Sequence, residues 1–217
     1  MSLPHAYSAG ERDAIYRAIR ERRDMRHFTR GDVADELLQR VLQAAHQAPS
    51  VGLMQPWRFI RVRKPALREQ IHQLVEQERK ATADAMGERR DEFMRLKVQG
   101  VRDCAELLVA ALPEGRDAHV FGRRTLPEMD LASLACAIQN LWLAARAEGL
   151  GMGWVSLFDP QALGSLLQLP PDAKPVAVLC LGPVAEFYAE PMLVQEKWAQ
   201  PRSLSELLFV DQWGISE

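Results

Sequence analysis

The sequence predicts an α/β (α+β) chain, a mixed β-sheet covered by helices on both faces, in one domain over residues 1–217. Three observations predict it. Apolar periodicity runs helix, helix, strand, helices, strand, helix, strand, helix, strand along the chain. The 217 residues, 47% apolar and 26% charged, suffice for one sizeable core and contain no repeat or low-complexity linker. Segment 128–148 is apolar on more than one face, which places it at the centre of the monomer or of a dimer.

Each element has its own signal. "ERDAIYRAIRER" (11–22) sets Ile15, Ala18, Ile19 and Arg22 at helical spacing. "ADELLQRVLQAAHQAP" puts Leu37, Leu38, Val41, Leu42 and Ala45 on one helical face, and Pro49 stops it. "WRFIRVRK" (57–64) interleaves Trp57, Phe59, Ile60 and Val62 with arginines, a half-exposed strand. Residues 66–102 read as two charged helices with an exposed break near Gly87. "AELLVAALP" (105–113) is a short buried strand, and 114–127 a loop. In 128–148, Leu131, Leu134, Ala135, Ile138, Leu141, Trp142 and Ala145 share a stripe. Pro127, Glu128 and Asp130 suit the start of that helix, and Gly149 its end. "GMGWVSLF" and "KPVAVLCLGPV" are apolar strands around a short helix near "DPQALGSLLQL", and the tail after Pro191 is irregular.

Bulk properties exclude several classes. A net charge of −2 gives no general reason to bind nucleic acid or an anionic membrane surface. No secretory apolar stretch or bilayer-length run is present, so a cytoplasmic protein is expected. The scattered Cys104, Cys136 and Cys180 sit in apolar contexts and are expected to be buried and inert. The five histidines do not cluster, so no metal site is expected.

Three stretches carry chemistry. In "RERRDMRHFTRG" (20–31), Arg20, Arg22, Arg23, Arg26 and Arg30 surround Asp24. If the first helix continues through Arg26, Arg22 and Arg26 share a face, and their paired forks suit a phosphate. Asp24 then points elsewhere. The alternative is a solvated charge cluster at a helix end. "APSVGLMQPWRF" (48–59) forms a loop with Ser50 and free backbone N–H groups at a strand mouth. It is either a ligand loop or a plain connection. "GLGMGWVSLF" (149–158) has three glycines in five residues, which let backbone approach a flat ligand. It lacks a G-x-G-x-x-G or P-loop frame, and Ser156 lacks a G-x-S-x-G frame.

Taken in order along nearly the whole chain, these stretches resemble the nitroreductase family of flavoproteins. "RRDMRHF", "APSVGLMQPWRF" and "GLGMGWVSLF" are most similar to the branch that makes 5,6-dimethylbenzimidazole, the lower ligand of vitamin B12. Asp24 stands where ordinary members carry serine, and Leu53 where they carry asparagine. The resemblance implies a domain-swapped homodimer with two FMN sites at its interface. It implies a lid at about 86–126 and a swapping tail at about 191–217. Arg22, Arg23, Asp24, Met25 and Arg26 would engage FMN, with Ser50 and Leu53 lining it from the first loop. Ser156 and Leu157 would approach it from the glycine turn, and Arg202 would join the phosphate site. Reduced FMN would be a substrate, cleaved with molecular oxygen to 5,6-dimethylbenzimidazole and erythrose 4-phosphate. Asp24 would act as general base and Ser156 as its hydrogen-bonding companion. A flavin reductase would supply the reduced FMN, with NAD(P)H used indirectly. The rival expectations are an NAD(P)H-dependent FMN nitroreductase or quinone reductase, and an FMN-binding protein without turnover.

Overall fold

A computed structural model describes residues 3–97 and 100–215. Its elements run α1 (Ala9–Glu21), α2 (Asp35–His46), β1 (Arg58–Arg61), α3 (Pro65–Ala85), α4 (Arg90–Arg95), β2 (Glu106–Leu112), α5 (Met129–Ala147), β3 (Gly151–Val155), α6 (Pro160–Leu166), β4 (Lys174–Gly182) and α7 (Met192–Gln195). The strand order is β1-β2-β4-β3. The expected helix-covered sheet is there, but pairing between its strands is antiparallel throughout. Among the described residues, the parallel sense survives only in a single bridge between Asp24 and Met152.

Strand alternation sorts the core onto the two faces of the sheet. Leu108, Ala110, Leu179 and Leu181 face α2 and α5, with Leu38, Val41, Leu134, Ile138 and Leu141 behind them. Leu107, Val109, Val178 and Cys180 face the other way, onto Ile71, Val75 and Leu163 of α3 and α6. Because both faces are covered, β2 and β4 read as continuous apolar runs. A third, smaller cluster forms apart from the sheet, where Ala83, Phe93 and Leu96 pack with Met86, Leu157 and Trp198.

Three expectations need correction. Residues 86–126 are not one lid, because β2, in the middle of that span, is a central core strand. The span splits into the α3–α4 elbow before β2 and the loop 113–127 after it. Cys104 and Cys180 are buried, but Cys136 is exposed on α5. The stripe of α5 is narrower than expected, and Leu131 in its first turn is 40% exposed.

Helix α1 starts at a capping box, in which Ser8 and Glu11 exchange hydrogen bonds. No residue of α1 is buried, and Ile15, Tyr16 and Ile19 are exposed on it. Its end decides the geometry of the site, since Arg22 is already extended (φ −60°, ψ 134°).

Candidate active site

Residues 22–26 run as an extended segment along β3. Met25 N–H donates to the Met152 carbonyl at 2.9 Å. The helical spacing expected for Arg22 and Arg26 is therefore wrong. They share a side through the two-residue period of extended chain, and Asp24 lies on that same side between them. The glycines of β3 allow this approach. A methyl group on Gly153 would collide with the Met25 carbonyl oxygen and lie 3.1 Å from Arg26 Nη1. One on Gly151 would lie 3.2 Å from Met25 Cγ. They admit another stretch of the same chain, where the sequence pointed to a flat ligand.

Asp24 is held from two sides. Its Oδ1 accepts the Trp154 N–H at 2.9 Å, and its Oδ2 pairs with Arg26 Nη2. Arg26, buried, also donates from Nη2 to the Trp154 carbonyl at 2.8 Å. Burial raises the Asp24 pKa above its ordinary 3.8, against the lowering pull of Arg26, the Trp154 N–H and Arg22. The carboxyl nonetheless keeps 43% of its side-chain accessibility, because it opens onto a cavity of about 230 Å³. Arg26, Ser156 and Leu157 line the same cavity. The Ser156 hydroxyl has no hydrogen-bond partner among the described residues, so it is available to a ligand.

The roof of this cavity was not legible as such in the sequence. Met86, Phe93 and Leu96 reach it from the α3–α4 elbow; Met192, Leu193 and Trp198 reach it from the far end of the chain. The two halves meet where the Arg89 guanidinium lies 3.6 Å from the Trp198 ring centroid and Phe93 packs against the same indole. Tyr188 fastens the second half, accepting the Arg26 N–H at 3.1 Å and contacting His27 Nδ1 at 2.7 Å.

The arginines divide by role. Arg23 donates to the carbonyls of Arg20, Arg22 and Ala189 at 2.8 Å each, so its fork is taken up in holding the chain. The Arg22 guanidinium lies 4.4 Å from the Trp142 ring centroid, and no hydrogen bond or ion pair of its side chain occurs among the described residues. Arg23 Nε and Arg26 Nη1 are buried without acceptors. One free guanidinium, two unfilled donors and an aromatic, acid-bearing cavity fit a planar ligand with an anionic tail.

The remaining predicted residues lie elsewhere in the chain. Ser50 Oγ accepts the Gln55 N–H at 3.1 Å, and Leu53 is 80% exposed with a left-handed backbone (φ 53°). Their turn hangs on Ser133, while Trp142 Nε1 donates to the Arg23 carbonyl at 3.2 Å. Ser133 and Trp142 are roughly 13 Å apart along α5. Arg202 is exposed in the tail and makes no hydrogen bond or ion pair among the described residues. One chain thus brings together Asp24, Arg26, Ser156 and Leu157 around one cavity, whose lining does not include Ser50, Leu53 or Arg202.

The sheet with its two helical layers, and the arginine-bearing segment laid along β3, define a flavoprotein-type scaffold: residues 19–183 match the nitroreductase family, and the chain belongs to it. A 5,6-dimethylbenzimidazole synthase from Rhodospirillum rubrum is 40% identical over 196 residues, 88% of this chain and 92% of the relative. A 5,6-dimethylbenzimidazole synthase from Rhodobacter capsulatus is 42% identical over 193 residues, covering 87% and 92%. Among solved structures, a BluB-like flavoprotein from Clostridium difficile 630 superposes with a TM-score of 0.70 at 18% identity, covering 91% of this chain and 99% of that one.

Proposed function

We propose that this chain is an oxidoreductase that fragments reduced FMN with molecular oxygen, releasing 5,6-dimethylbenzimidazole and erythrose 4-phosphate. The observation that carries the reading is Asp24, a carboxyl of raised pKa on the wall of a roofed cavity, with Ser156 beside it. An acid there is costly next to an electron-rich ring unless it handles protons. The relatives at 40% and 42% identity favour this reading over a general nitroreductase.

Reduced FMN supplies the electrons that activate oxygen, so no metal is required of the protein. The chain's own tasks are three. Arg22, free and extended from the end of α1, takes the phosphate; Arg26 is already engaged by Asp24 and orients it. Asp24 accepts a proton released during C–N and C–C cleavage, and burial, which raises its pKa, makes it a better proton acceptor than an ordinary carboxylate. The Ser156 hydroxyl supplies a hydrogen bond to the reacting ring. The apolar roof of Phe93, Leu96, Leu193 and Trp198 excludes water and covers the face that a nicotinamide would need.

The site is completed by a second copy of the chain. Ser50, Leu53 and Arg202 do not line the Asp24 cavity within one chain. Ile15, Tyr16 and Ile19 on α1, and Leu204, Leu207, Leu208 and Trp213 in the tail, are large apolar side chains exposed in the single chain. A homodimer that exchanges tails covers these residues and brings Arg202 to the partner's flavin. A separate flavin reductase supplies the reduced FMN.

The test is to mix the protein with reduced FMN without oxygen, admit air, and analyse the products. Stoichiometric loss of FMN with appearance of dimethylbenzimidazole supports the reading. Recycling of FMN with NAD(P)H identifies a reductase, and retention of intact FMN without turnover identifies a binding protein.

A further inference from the structure

The turn that carries Leu53 is held from outside itself. Gly52, Leu53 and Gln55 all have left-handed backbone, with φ of 51°, 53° and 48°. For leucine and glutamine that conformation persists only where the surroundings fix it. Two devices fix it here, and both are anchored in the first two turns of α5.

The first is Ser133, which is buried. Its Oγ accepts the Val51 N–H at 3.0 Å and donates to the Met129 carbonyl at 2.6 Å, tying the turn to the helix. The second is the loop 113–127, which braces the turn through close contact. A methyl group on Gly52 would lie 3.1 Å from both Phe121 Cδ1 and the Phe121 carbonyl oxygen, and one on Gly122 (φ 75°) would collide with Val51 Cγ2.

This loop has one short 3-10 turn, Arg116–Ala118, and depends on side chains for its shape. Asp130, 2% exposed, accepts Arg116 Nη1 at 2.7 Å and Arg123 Nη2 at 2.9 Å. Arg123 also donates to the Pro127 carbonyl at 3.0 Å and to the Arg116 and His119 carbonyls. One buried carboxylate thereby anchors both ends of the loop.

We infer that Ser133 and Asp130 are positioning residues for the flavin site. They hold Leu53 at the height and angle at which it meets the ring, Ser133 directly and Asp130 through the Arg116–Arg123 loop. The inference rests on the reading that Leu53 lines the flavin. Leu53 is 80% exposed in the single chain, so packing around its own side chain cannot set its position. The backbone supports on α5 must do it.

A double-mutant cycle tests this. FMN affinity is measured by fluorescence quenching, and the share of consumed reduced FMN recovered as dimethylbenzimidazole is measured after air is admitted. Ser133→Ala should melt cooperatively, bind FMN about two- to tenfold more weakly, as loss of one hydrogen bond implies, and return a larger share of FMN unconverted. Leu53→Ala should show the same pair of effects, and the double variant should be no worse than Leu53→Ala alone. Ser133→Thr, which keeps the hydroxyl, should restore both readouts. Phe121→Ala removes the brace from an 80% exposed ring and carries the same cycle if Ser133→Ala does not fold. If Leu53→Ala is impaired and the second substitution adds its full effect, the positioning role is overturned and the reading of Leu53 stands. If Leu53→Ala binds FMN and forms product like the unaltered protein, both fall together.

Discussion

Replacing Asp24 with asparagine separates chemistry from architecture. The amide keeps an oxygen for the Trp154 N–H, now accepted at 2.9 Å, and removes the charge facing Arg26. Arg26 Nη2 then retains one acceptor, the Trp154 carbonyl at 2.8 Å. Losing a charged hydrogen-bond partner costs about 1.5–3 kcal/mol, and the low end applies because Asp24 is 43% accessible. Against this, the amide no longer resists burial as the carboxylate does. The net stability change at neutral pH is therefore small. The pH dependence has a definite sign. The folded state binds the Asp24 proton more tightly than the unfolded chain, so the Asp24 contribution is fully present below 3.8 and declines as pH rises through the raised folded value. Asp24→Asn removes that decline, and its melting temperature relative to the parent should climb across the window. Turnover should fall about 10²–10⁴-fold, the usual contribution of a general base. The assay mixes the variant with reduced FMN, admits air and separates flavin from benzimidazole by chromatography. The variant should consume oxygen and return oxidised FMN. Abundant dimethylbenzimidazole would refute the proton-handling role and leave Asp24 as an ion-pair partner of Arg26.

The divided arginines predict divided phenotypes. Arg22→Ala should weaken FMN binding by about 1.5–3 kcal/mol with an unchanged melting point, whereas Arg23→Ala should lower the melting point, because its fork holds the Arg20, Arg22 and Ala189 carbonyls. Equal effects of the two on FMN titration would contradict the assignment. Gly153→Ala should destabilise the fold by about 1–3 kcal/mol in urea unfolding, since the added methyl displaces the Met25 carbonyl from β3; an unshifted midpoint would show that the segment yields freely. Light scattering at micromolar concentration should give the mass of a dimer, and Arg202→Ala should weaken FMN binding although Arg202 touches no other site residue of its own chain; a monomer of full activity would defeat the shared site.

The core was legible because its signals are local. Leu107 and Val109 point to one face of β2 and Leu108 and Ala110 to the other, so the strand reads as a continuous apolar run. The α5 stripe carries Leu134, Ile138 and Leu141 at helical spacing for the same reason. The resemblance singled out Asp24, Arg26, Ser156 and Leu157, which line one cavity, but not the geometry that brings them there. Residues 22–30 contain no glycine or proline, so nothing local announces that α1 ends at Glu21. What ends it is tertiary: the Met152 carbonyl accepts the Met25 N–H, and the missing side chain of Gly153 leaves room for the segment. Trp198 was equally hidden, because its partners Arg89 and Phe93 lie about a hundred residues earlier and only the folded chain brings them together.

The extended period of residues 22–26 has one consequence for the proposed chemistry. On a helix, Arg22 and Arg26 would converge on an anion and Asp24 would turn away from it. On an extended segment all three face one way, and the acid lies between the two cations. Arg26 can then do for Asp24 what no solvent-exposed partner could, fixing the carboxylate's direction while burial keeps its pKa raised. Arg22, one period before Asp24, stays free for the charged end of the ligand. The segment thus places a guanidinium without a hydrogen-bond partner among the described residues and a carboxyl on one side of a single strand-like stretch. Under the proposed function, a ligand anchored at its phosphate by Arg22 would thereby be carried past the Asp24 carboxyl.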